Sequence, residues 1–177
     1  VYLSAYTGFT GEPTISNISY SPQTFSLGDD VFITANILDA TSVFLAYRFG
    51  ENMAFKKAPM FDDGNHDDGI ANDGVYGAKI TNTSNLIDYY LYADNDSSGV
   101  FSPVRAAYEF YSIQSQLQAG DLVINEIMSN NISVVADPSG NFEDWIELYN
   151  PTNSPISTKG LFLTDWPNSN LLKWELP

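Results

Sequence analysis

Cysteine is absent from the 177 residues, and histidine occurs once, as His66. Without thiols there are no disulfides, zinc–thiolate sites, iron–sulfur clusters or cysteine nucleophiles, and a multi-histidine metal site cannot be assembled within the chain. Cationic residues are scarce as well: 7 Lys+Arg stand against 22 Asp+Glu, giving a net charge of −15 and a pI near 4.1. Such a chain lacks the basic surface that displaces counterions from phosphates, so nucleic acid is excluded as a partner, and anionic membrane surfaces are disfavoured. No run of 18 apolar residues occurs, so membrane insertion is not expected. Apolar side chains are nevertheless plentiful, at 44% hydrophobic and 14% aromatic, enough to build a core and to exclude wholesale disorder.

The apolar residues recur with the period of strands. From Asp30 to Asp39 one face carries Val31, Ile33, Ala35 and Ile37, the other Phe32, Thr34, Asn36 and Leu38. Further strands are predicted at Thr14–Tyr20, Ser42–Phe49, Phe55–Met60, Val75–Ile80, Leu86–Ala93 and Val104–Tyr111, separated by Pro-, Gly-, Asn- and Asp-rich turns. Alternation lapses over the Gln/Ser-rich residues 113–120 and resumes in Leu122–Met128, Ile132–Ala136, Asp144–Asn150 and Gly160–Thr164. The expected fold is all-β: tandem immunoglobulin-like or fibronectin-III-like β-sandwiches, the second incomplete. Residues 1–12 form an N-terminal extension, 13–112 the first sandwich, 113–120 a linker and 121–177 the second. The chain starts at Val1 without a methionine and stops at Pro177 in mid-pattern, which reads as a piece of a longer protein.

The segment Asp62–Asp73 concentrates five Asp and two Asn beside His66, with glycines at 64, 69 and 74. Hard oxygen ligands at this density suit Ca²⁺, and clustered carboxylates repel one another without a cation. An EF-hand alignment from Asp63 fails, because Asp68 falls where glycine is needed and Gly74 where the bidentate glutamate is needed. Two readings stay open. One is a Ca²⁺ site built from Asp62, Asp63, Asn65, Asp67 and Asp73, with Asn72 assisting. The other is a hydrophilic connection held by Asx-turns, its glycines at positive φ. A weaker acidic echo at Asp94–Gly99 would place Arg105 at a ligand position and reads as a tight turn.

No catalytic set emerges. Glu126, Glu143, Asp144 and Glu147 invite a paired-carboxylate comparison, but glycosidase clefts sit in larger scaffolds. His66 has no thiol or serine-elbow companion, and no glycine-rich phosphate loop is present. Sequons at Asn17, Asn82, Asn95 and Asn131 arise easily by chance in an Asn/Ser-rich chain. Tyr89, Tyr90, Trp145, Trp166 and Trp174 are candidates for sugar stacking, though most such rings serve as core or cover edges.

Two resemblances add to this. Leu122–Asn130 (LVINEIMSN), Glu143–Pro151 (EDWIELYNP), Gly160–Asp165 and Lys173–Pro177 together resemble the lamin tail domain, an immunoglobulin-like sandwich of nuclear lamins and many secreted bacterial proteins. Such domains continue for several strands beyond the final Trp174–Pro177 element, so the resemblance implies a half-sandwich with an unpaired edge, completed by further residues, by the first unit or by another chain. Met60–Tyr76, followed by Ile87–Asp94, resembles immunoglobulin-like modules that precede such tails in surface proteins of Bacteroidetes-type bacteria. These resemblances imply a non-catalytic structural or adhesive module of a secreted or cell-surface bacterial protein; the Ca²⁺ reading of the Asp62–Asp73 loop would add stiffening by the metal. The alternative is a carbohydrate- or protein-binding accessory module of a larger surface enzyme. Implied partners are other domains of the same parent protein and a glycan or protein ligand.

Overall fold

The computed structural model describes residues 11–50 and 53–177, so the expected extension at 1–12 lies outside the described residues except for Gly11 and Glu12. The chain divides into two compact units, Val1–Gln116 and Leu117–Pro177. Among the described residues there is no helix, hence none long and apolar enough to cross a membrane.

The first unit contains β1 (Thr14–Ser21), β2 (Asp30–Leu38), β3 (Ser42–Phe49), β4 (Lys56–Pro59), β5 (Val75–Thr81), β6 (Leu86–Asp94), β7 (Gly99–Ser102) and β8 (Tyr111–Gln114). One sheet runs β1-β2-β5; the other runs β4-β3-β6, and the far edge of β6 is shared by β7 and β8. All pairings are antiparallel. The two sheets bury alternate residues against each other: Val31, Ile33, Ala35 and Ile37 of β2 and Ala78 and Ile80 of β5 from one side, Val43 and Leu45 of β3 and Ile87, Tyr89, Leu91 and Ala93 of β6 from the other. The β2 face read from alternation is thus the core face. Ile33, Leu45 and Leu91 are wholly buried, and each such side chain contributes roughly 1.5–3 kcal/mol of transfer free energy. Burial pushes the Tyr89 hydroxyl up to about 12, with Tyr111 and Tyr20 adding to the effect.

Two expectations are corrected in this unit. Val104–Tyr111 is not one strand: residues 104–110 belong to none, and Tyr111 opens β8. Pro103 has no N–H to give a ladder, Val104 and Tyr108 are exposed, and Tyr108 N and Glu109 N both donate to Arg105 O in a turn. The interval therefore separates β7 from β8. The linker expected at 113–120 begins inside β8, where Ile113 is buried opposite Ile87. Ser115 N then donates to Asn85 O at 2.9 Å and Gln116 N to Phe25 O at 2.8 Å, which keeps the chain attached to the first unit through Gln116.

The second unit contains β9 (Val123–Met128), β10 (Trp145–Tyr149), β11 (Phe162–Leu163) and β12 (Trp174–Glu175), paired as two separate two-stranded antiparallel ladders. The predicted strand Ile132–Ala136 does not form. Asn131 folds it into a turn: its side-chain oxygen accepts from Val134 N and Val135 N, while its amide donates to Val135 O and Glu143 O. Ile124, Ile127, Ile146 and Trp174 remain exposed on these ladders.

Candidate functional site

The acidic loop joins β4 to β5, and a pair of backbone bonds between Phe61 and Gly77 closes it, at 2.8 and 2.7 Å. Gly77 has to be glycine, since a Cβ there would lie 2.3 Å from the His66 carbonyl oxygen. Within the closed loop the carboxylates turn inward onto backbone amides. Asp62 accepts from Asn72 N at 2.6 Å, Asp73 N at 3.2 Å and Gly74 N at 2.9 Å. Asp73 accepts from Ile70 N and Val75 N, and Asp63 from Asn65 N. Asp67 accepts from Ser21 Oγ of β1, which ties the loop to the neighbouring strand. Asp67 and Asn72 hold φ of 59° and 64°, a region that Asp and Asn tolerate better than most residues.

Asp68 is the centre of this arrangement. It is 1% exposed, and it accepts from Asp63 N at 2.7 Å, Gly64 N at 2.9 Å and His66 N at 2.7 Å. Burial pushes its carboxyl up, but the backbone N–H groups outweigh it and hold the group below its ordinary value. At Asp63 the His66 ring and then the Asn65 N–H pull in the same direction, with His66 Nδ1 donating at 2.9 Å.

Of the residues predicted as Ca²⁺ ligands, Asp63 alone joins a group with closely converging donor atoms among the described residues: Asp63, His66 and Asp68, within 4.8 Å of one another. Asp62, Asp67 and Asp73 lie outside that trio, and Asn65 spends its side-chain amide on Asp63 O. The trio offers one nitrogen and two carboxylates already engaged with N–H donors, whereas Ca²⁺ takes six to eight oxygens. Asp68, the most heavily used acceptor, was missing from the predicted set. The sequence does hold a signal for it: an Asp between a preceding Asp-Gly and a following Gly can cap several turns at once.

The remaining candidates are also placed. Asn95 Oδ1 accepts from Ser97 N and Ser98 N, so Asp94–Gly99 is an Asx-turn between β6 and β7. Glu126 and Glu147 are cross-strand partners on an exposed ladder, and Glu147 accepts from the Asn125 amide. Asp144 accepts from Asn131 N at 2.9 Å. The side-chain amides of Asn82, Asn95 and Asn131 donate to main-chain carbonyls, and those of Asn82 and Asn131 are buried, which removes them as glycan acceptors in the folded chain.

Sequence reasoning missed one buried ion pair. Arg48 of β3 meets Asp88 of β6 at 2.9 Å, with Asp88 1% exposed and also accepting from Ser112 Oγ at 2.7 Å. The guanidinium lies over both the Phe55 and Phe110 rings, 4.7 Å from each centroid. Residues 48 and 88 face each other in the β3–β6 register, a relation invisible until the strands are paired.

Residues 35–85 match the family model of the conditioned medium factor 2nd Ig-like domain. The first unit is an immunoglobulin-like module. The matched stretch runs from within β2 through the acidic loop, and so takes in the whole Asp62–Asp73 network of this immunoglobulin-like unit. No curated protein matches the chain.

Proposed function

We propose that the chain is a non-catalytic structural module of a secreted or surface-attached bacterial protein, with the immunoglobulin-like unit followed by a lamin-tail-like unit that spaces or attaches other parts of the parent protein. The observation that supports this reading is the use made of the polar groups: Asp62, Asp68 and Asp144 accept from main-chain N–H groups and the Asn131 amide donates to a main-chain carbonyl. A spacer's contribution depends on length and stiffness. Exchanging residues 11–177 in the parent protein for an unrelated β-sandwich pair of similar length is therefore expected to preserve the parent's activity. Loss of that activity after the exchange would sink the reading.

In this reading the acidic loop is a self-contained staple that needs no cation. Thermal melts in about 2 mM CaCl₂ and in excess EDTA are expected to coincide within about 1 °C, because an ion that binds neither state leaves stability unchanged. A rise of several degrees in calcium, abolished by Asp63→Ala, would instead make the loop a metal site.

A further inference from the structure

The outward face of the β4-β3-β6-β7 sheet is aromatic where a solvent-facing sheet surface is ordinarily polar. The register lines up Phe44, Tyr92 and Phe101 as one row across β3, β6 and β7, and the next row places Lys57, Ala46 and Tyr90 side by side on β4, β3 and β6. The rings brace one another, with Tyr92 4.7 Å from Phe101, Tyr90 6.1 Å from Phe101 and Phe55 4.9 Å from Tyr90. Ala46 is the one small residue among them. It leaves a notch of about 310 Å³, at the lower end of small-molecule clefts, walled by ring faces.

The cations are distributed just as unevenly. Arg48, Lys79, Arg105 and Lys173 each have a carboxylate within ion-pair distance. Among the described residues Lys56 and Lys57, both exposed on β4 beside the notch, have none, although the chain carries 22 Asp+Glu. The Lys57 ammonium lies 3.7 Å from the Phe44 ring centroid and leans over the aromatic row. Asp94, which engages the Tyr92 hydroxyl, stands two rows of the sheet away from Lys57.

We propose that the notch above Ala46 is a binding site for a carboxylate-bearing saccharide, a uronic-acid sugar that lies on the Tyr92 and Phe101 rings with its carboxylate on Lys57. Ring faces attract the C–H edges of a pyranose through their negative quadrupole, and the Lys57 ammonium supplies charge complementarity. The mutual packing of the rings orders the platform before the ligand arrives, which lowers the entropic cost of binding. A peptide fits less well. β3 is paired on both edges, by β4 and β6, and β6 by β3 on one edge and β7 and β8 on the other, so a peptide lying on the rings could pair its backbone only along the outer edge of the four-residue β4. Saccharide hydroxyls at the rim stay in water.

The test is calorimetric titration of the full chain with trigalacturonate, its uncharged methyl ester and triglutamate, with a thermal melt recorded for each variant. Saturable single-site binding of trigalacturonate is expected, roughly tenfold tighter than the ester. Lys57→Met is expected to reduce the acid to the affinity of the ester. Ala46→Leu, which fills the notch, is expected to abolish both; should it fail to fold, Phe101→Ala removes an exposed ring from the same platform. The proposal is overturned by absence of saturable heat up to about 10 mM. Affinity unchanged in Lys57→Met, or unchanged in Phe101→Ala, also overturns it. Triglutamate binding as tightly as the sugar acid overturns it in favour of a protein partner.

Discussion

Asp68→Ala is expected to cost the immunoglobulin-like unit about 3–4 kcal/mol, a fall of roughly 10–20 °C in melting temperature. The substitution strands the N–H groups of Asp63, Gly64 and His66, which now converge on one carboxylate. Charge-assisted bonds of this kind contribute about 1.5–3 kcal/mol each and overlap when they share an acceptor. Asp68→Asn keeps one oxygen and should lose less. The pH dependence has a definite sign. The folded-state carboxyl lies below its ordinary value of 3.8, so its stabilisation is complete above that value and fades as pH falls through the folded-state one. Melts of the parent and Asp68→Asn should therefore differ at neutral pH and converge as the pH falls below the folded-state value. A drop in Asp68→Ala of less than about 2 °C would show that the loop contributes little to the fold.

Arg48→Ala should be at least as damaging. It leaves Asp88 buried with Ser112 Oγ as its remaining partner and removes the guanidinium from over the Phe55 and Phe110 rings. Breaking a buried pair from one side costs about 3–5 kcal/mol, because the surviving charge is left without compensation. Neutralising the partner should recover much of this, so Arg48→Met with Asp88→Asn is expected to be more stable than Arg48→Ala alone. Urea denaturation of the single and double variants measures the coupling, for which about 2 kcal/mol or more is expected. Additive losses would show that the charges act independently.

Much of the first unit is legible in the sequence, since two-sided strands advertise themselves. Val31, Ile33, Ala35 and Ile37 can point inward only if the chain is extended, and Ser42–Phe49 was bounded to the residue. Legibility fails where side chains, not alternation, decide the path. Val104–Tyr111 has strand-like composition but starts after Pro103 and turns at Arg105. Ile132–Ala136 looks extended until the Asn131 amide gathers it into a turn. The acidic loop stood out by composition, yet composition could not rank its carboxylates, and the most important, Asp68, was passed over. The Arg48–Asp88 pair and the notch above Ala46 depend on which residues meet across strands. Small next to aromatic is uninformative along a strand and decisive across a sheet.

The way β7 and β8 divide one edge of β6 has a mechanical consequence. The chain leaves the immunoglobulin-like unit through β8, held by four paired positions from Leu86–Gln114 to Tyr89–Tyr111 and by the Gln116 N–Phe25 O clasp. Tension applied beyond Gln116 is met first by that short strip, whereas β3 grips β6 over eight positions. Under load the unit is expected to yield at β8 first. Peeling of β8 would lengthen the tether, withdraw Ile113 from the core and uncover the edge of β6 at Ile87 and Tyr89.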